Sequence, residues 1–144
     1  MSKVLAACAA LALCLPASAA PKKAKTTKKE SPMEWTGAYC EVAEASHRVV
    51  ATPAEWEKLW KEIGRPAPPA DLAAHYAVAV FLGTRNTGGF GVAFEPPASA
   101  KEGAVVRYKV KTPRGMVIQA LTQPYAVRLY PKTKAPVRVE AIPD

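Results

Sequence analysis

Reactive side chains are scarce in this sequence. It has two histidines, His47 and His75, and three cysteines, Cys8, Cys14 and Cys40. Ser46 beside His47 is no catalytic triad, because neighbouring strand residues point to opposite faces. Cys40 lies in no helix N-terminus or glycine elbow that would lower its pKa, so a thiol enzyme is not indicated. One cysteine and two distant histidines are no metal signature. Glu55, Glu57 and Glu62 fall on one helix surface, Asp71 and Glu95 are isolated, and no pair is placed for acid–base work. Gly88-Gly89-Phe90-Gly91 lacks the lysine and the following helix of a phosphate loop. The composition therefore points to a non-enzyme, with neither metal nor cofactor expected.

The N-terminus reads as an export signal. Lys3 is a short positive region, residues 4–15 are apolar, and Ala17-Ser18-Ala19 is an A-x-A-like cleavage site. The apolar run is shorter than the roughly 20 residues a membrane helix needs. Residues 1–19 are assigned as a signal peptide, which places the protein in the periplasm or cell envelope. Leu5-Ala6-Ala7-Cys8 only superficially matches a lipoprotein box, since Cys8 leaves almost no apolar region before it. Removal of Cys8 and Cys14 with the signal leaves Cys40 alone, so no internal disulfide can form. Stability must then come from an apolar core, which 49% hydrophobic composition can supply.

The formal charge of the whole chain is +8. Residues 20–34 hold Lys22, Lys23, Lys25, Lys28 and Lys29 with no apolar period. Such a stretch buries too little surface to offset its ordering entropy, and it reads as a disordered tether. It is either a soluble spacer or a weak contact for an anionic envelope surface. No aromatic interleaving, helix-turn-helix or zinc-finger pattern accompanies it, so nucleic acid is not expected.

Residues 35–144 read as one α+β domain, predominantly an antiparallel sheet with one main amphipathic helix packed on it. The helix spans residues 52–64. Thr52 is the N-cap, Pro53 fits the first turn, Glu55 completes a capping box and Gly64 is the stop. Trp56, Leu59, Trp60 and Ile63 form a single apolar stripe. Residues 76–94 read as the central hairpin. Tyr76-Ala77-Val78-Ala79-Val80-Phe81-Leu82 is an apolar run buried on both faces, and Phe90, Val92 and Phe94 alternate on its expected partner.

Before the helix, one kinked first strand is expected, with a short strand over residues 47–50 and Cys40 at a strand start. Further strands are expected over residues 103–111, 116–121, 125–130 and 137–142. Arg107, Lys109, Lys111, Arg128 and Arg138 would then lie on a half-solvated sheet face, either plain surface or a cationic face for an acidic partner.

Several landmarks occur in a fixed order. They are Trp56-x-x-Leu59-Trp60, a Pro-rich connector ending in Asp71-Leu72, a strand ending Phe81-Leu82-Gly83-Thr84-Arg85, then Thr87-Gly88-Gly89-Phe90 and Thr122-Gln123-Pro124-Tyr125. This order, over residues 39–142, resembles the PrcB C-terminal domain family, named for a subunit of a spirochaete envelope protease complex. Phe90 stands where members of that family usually have Tyr. The resemblance implies an exported accessory domain that binds or stabilises a protein partner such as a protease. The candidate contact loop is Arg85, Asn86, Thr87, Gly88, Gly89 and Phe90. Two alternatives stay open: a peptidase inhibitor acting through the Asn86 to Phe90 loop, and a small-molecule or polymer-binding module using Trp35, Trp56, Trp60 and the tyrosines as stacking groups.

Overall fold

A computed structural model describes residues 33–96, 98–100 and 103–143. The expected signal peptide and nearly all of the expected tether lie outside the described residues.

The chain order is β1 (Glu34–Gly37), β2 (Ala45–Val50), α1 (Pro53–Ile63), β3 (His75–Leu82), β4 (Gly91–Phe94), β5 (Ala98–Ala100), β6 (Gly103–Lys111), β7 (Tyr125–Pro131) and β8 (Val137–Ile142). The first sheet runs β1-β7-β3-β2 and is antiparallel throughout. In the second, β4 and β5 both pair antiparallel with β6, and β8 lies parallel to β6. The class is α+β and mostly sheet, in three layers of helix, first sheet and second sheet.

β3 explains the layering. Ala77, Ala79 and Phe81 belong to a core shared with Trp56, Leu59, Trp60 and Ile63 of the helix. Tyr76, Val78, Val80 and Leu82 belong to a second core with Val92 and Val106 of the other sheet. A strand covered on both faces has no polar side, hence the unbroken apolar run. β7 repeats the pattern, Tyr125, Val127 and Leu129 facing the helix and Ala126 and Tyr130 the second sheet. Alanine at 77 and 79 leaves room on the helix side for the indoles. Trp35, Trp56 and Trp60 meet edge to face at 5.4 to 5.8 Å.

The helix begins and ends as its sequence dictates. Thr52 Oγ1 accepts from the Glu55 N–H, and the Glu55 carboxylate accepts from the N–H groups of Ala51 and Thr52. Those donors hold the Glu55 carboxyl below its ordinary pKa. Gly64 adopts φ +79°, which releases its N–H to the Lys61 carbonyl. The proline connector lies against the helix, and Trp56 Nε1 donates to the Pro68 carbonyl at 2.9 Å.

Five expectations are corrected. β4 is not the partner of β3: β2 and β7 occupy both edges of β3, so the chain leaves the sheet at Gly83 and enters the other one. The first strand is not one kinked element, because β1 and β2 form opposite edges of the first sheet. Cys40 sits in the coil between them rather than at a strand start. Residues 116–121 form no strand; only Thr122 bridges, to Arg85. The far face of the first sheet is not half-solvated but covered by the second sheet, and β8 runs parallel because β7 between it and β6 belongs to the other layer.

Candidate functional site

Three connections meet at one end of the sandwich. They are residues 38–44, 83–90 and 112–124. The Thr84 N–H donates to the Ala43 carbonyl at 2.9 Å, and the Gln123 N–H to the Ala38 carbonyl at 2.9 Å. The Gly88 N–H reaches the Ile118 carbonyl at 2.8 Å. Thr122, fully buried, donates through Oγ1 to the Thr87 carbonyl at 2.9 Å. The Cys40 thiol donates to the Gln123 carbonyl at 3.2 Å. Burial pushes the pKa of this thiol up, which suits packing and disfavours a reactive thiolate.

Glycine is required at two points of this frame. Gly83 has φ +70°, and a Cβ there would lie 2.7 Å from the Ala45 nitrogen. Gly89 has φ +87°, and a Cβ there would lie 2.7 Å from that of Pro113. The glycines let one loop pass close to the next.

The candidate loop residues are therefore together, but most hold the frame. Thr87 and Gly88 tie the neighbouring loop through their main chains. Phe90 is half-buried against the second core, with the Arg85 guanidinium 5.2 Å from its ring centre. A Thr-Gly-aromatic loop that entered a peptidase cleft would need its aromatic ring free, and this one is turned inward. Thr84 and Asn86 stay exposed.

What the loop end offers to solvent comes from the segment read in sequence as a strand. Met116, Ile118 and Leu121 are 105%, 75% and 63% exposed. Three large apolar side chains on six residues of ordered backbone are an unusual display for a soluble surface. The apolar run itself was the available signal, but an apolar run reads the same whether its partners lie within the chain or outside it.

The five basic residues do not form one face. Arg107, Lys109 and Lys111 of β6 and Arg138 of β8 are exposed on the outer side of the second sheet. Arg107 pairs with Glu140 at 3.4 Å and Lys109 with Glu95 at 3.0 Å. Arg128 is in the other sheet, on the side facing the second sheet, 3.7 Å from Glu34 and 5.3 Å from the centre of the Tyr130 ring.

Trp56 and Trp60 are buried, and Trp35 packs against them, so these rings form core and not a stacking platform for sugars. Asp71 accepts from the N–H groups of Ala73 and Ala74, and the His75 ring lies 3.1 Å from the Asp71 carbonyl, a local turn. Among the described residues no three His, Cys, Asp or Glu side chains gather as metal ligands would.

The family model described as PrcB C-terminal matches residues 76–128. This span runs from β3 through the loop end to β7. The helix motif, included in the wider resemblance over residues 39–142, lies outside it. No curated protein and no solved structure matches the chain. The match agrees with the resemblance seen in the sequence: over residues 76–128, the chain is similar to the PrcB C-terminal family.

Proposed function

We propose that this chain is an exported, non-enzymatic accessory domain that binds a protein partner through its loop end, the partner being an envelope protease. One observation carries the reading: Met116, Ile118 and Leu121 project from a loop that is hydrogen-bonded to its neighbour at Gly88, Arg85 and Thr87. An ordered frame lowers the entropy lost when exposed apolar side chains are buried by a partner. The family match supports the accessory role, and the signal-like residues 1–19 support export.

The test is recovery of a peptidase from envelope extract by the tagged domain. The variant Met116→Ser/Ile118→Ser/Leu121→Ser should retain its melting temperature and lose the peptidase. Arg107→Glu/Arg138→Glu should retain both. Full recovery by the serine variant would remove the loop end from consideration.

A further inference from the structure

A second surface lies where the two sheets part. An open cleft of about 370 Å³ is lined by Glu34, Thr36, Gly37 and Ala38 on one side and by Phe90, Gly91 and Val92 on the other, with Lys111 and Tyr125. Both walls are sheet edges. Among the described residues, β1 pairs only with β7, and β4 only with β6.

Hydrogen-bond direction can be followed along each edge. The Leu129 N–H donates to the Met33 carbonyl, so Met33, Trp35 and Gly37 direct their main-chain groups to β7. The antiparallel alternation then turns the N–H and C=O of Glu34 and Thr36 away from β7. Likewise the Glu95 N–H donates to the Arg107 carbonyl, so Gly91 and Ala93 face β6 and Val92 faces away from it. The outward residues Glu34, Thr36 and Val92 are among those that line the cleft.

Neither β1 nor β4 carries lysine or proline, residues that commonly block a free edge. The other outer strand of the first sheet, β2, carries Arg48, which pairs with Glu62 of the helix. The cleft contains two charged side chains. Glu34 is engaged by Arg128, whereas Lys111 makes no ion pair among the described residues.

We propose that this cleft takes an extended acidic peptide segment of a protein partner as an added strand on β1. The peptide main chain would pair with Glu34 and Thr36, its apolar side chains would lie against Phe90 and Val92, and an acidic residue would meet Lys111. Main-chain pairing supplies affinity in this mode and side-chain contacts supply selectivity. The inference rests on the reading of the chain as a partner-binding domain, but it places a contact away from the Met116 loop.

The probe is a fluorescein-labelled octapeptide of alternating valine and threonine ending in two glutamates. Its control has the same sequence with alternate main-chain nitrogens methylated. Anisotropy with the purified domain should rise for the first peptide and be at least about tenfold weaker for the second, since methylation removes ladder donors and adds clashes. Thr36→Pro removes one edge N–H that does not face β7 and should weaken binding to a similar degree. Lys111→Glu should weaken it and reverse its dependence on salt. Amide exchange at Thr36 should slow when the first peptide is present. The Met116→Ser/Ile118→Ser/Leu121→Ser variant should bind the probe normally, which separates this site from the loop end. Equal binding of both peptides, or no binding of the first at millimolar protein, overturns the proposal and leaves the pull-down result untouched.

Discussion

The main chains of Arg85 and Thr122 hold each other by two hydrogen bonds, of 2.8 and 2.9 Å, where the exit of β3 passes the entry to β7. Together with the bond from the Gly88 N–H to the Ile118 carbonyl, this bridge fixes the distance between two loops that belong to no regular sheet. Thr122 strengthens it with its side chain, donating Oγ1 to the Thr87 carbonyl.

Thr122→Val keeps the shape of the side chain and deletes the donor. The Thr87 carbonyl would lose its partner at a half-buried position, at a cost of about 1 kcal/mol. The urea midpoint should fall, and amide exchange at Gly88 should accelerate. Thr122→Ser should recover most of both. An unchanged midpoint in the valine variant would show that the bond does not stabilise the frame.

Gly89 and Gly91 are two positions apart and should respond in opposite ways. Gly89→Ala places a Cβ at φ +87° and 2.7 Å from Pro113. The conformation alone costs about 1–2 kcal/mol, before any clash. At Gly91 a Cβ meets nothing within 4 Å in a β-strand. Gly91→Ala should therefore be neutral, or stabilising by up to about 1 kcal/mol. Thermal unfolding of the two variants decides this, and equal losses would contradict the loop geometry.

Tyr130 predicts the response to alkali. Its hydroxyl is buried and makes no hydrogen bond within the described residues. Burial is the main cause that pushes its pKa from the ordinary 10.0 up to about 12, opposed in part by the Arg128 guanidinium. The folded state therefore favours the neutral phenol. Its contribution to stability is complete below about pH 10 and is lost as pH rises from there toward 12. Tyr130→Phe should be neutral or stabilising by about 1 kcal/mol at pH 7. It should also lessen the loss of stability in alkali, with some slope remaining because burial raises the Tyr76 pKa as well. Urea unfolding at neutral and alkaline pH tests the sign, and an unchanged slope would count against it.

Trp60 touches Trp35, Trp56 and Tyr125 with its ring edges or face, 5.4 to 6.4 Å between centres. Trp60→Ala should cost about 3–5 kcal/mol by opening a cavity between helix and sheet. Trp60→Phe should cost much less, because the indole N–H has no hydrogen-bond partner among the described residues. Chemical denaturation followed by near-ultraviolet circular dichroism would compare them. A small loss for alanine would mean that the helix does not depend on this contact.

The helix was legible in the sequence because its information is local. Thr52, Pro53, Glu55 and Gly64 each act within one turn of their own position. The burial of β3 on both faces was legible too, since only a strand without a wet side tolerates such a run. The partner of β3 was not legible. Phe90 to Phe94 has the alternation of a hairpin strand, but alternation records which face is apolar and not which edge is occupied. β2 and β7 take both edges of β3, and no residue of β4 announces it.

The candidate site divides in the same way. Glycine and threonine between residues 83 and 90 marked a turn that needs special main-chain geometry, and Gly83 and Gly89 have it. Whether the apolar residues 116–121 are core or surface depends on what lies above them, which is a long-range fact. The same holds for the basic residues: alternation separates Arg107 from Val106, but only the sheet order puts Arg128 in another layer beside Glu34. The sequence by itself determined the helix, its caps and the apolar run of β3. Tertiary structure alone decided which edges pair, which stay open at the cleft, and that Met116, Ile118 and Leu121 face solvent. Hydrogen-bond periodicity and capping act over a few residues, whereas edge occupancy and burial are set by segments distant in the chain.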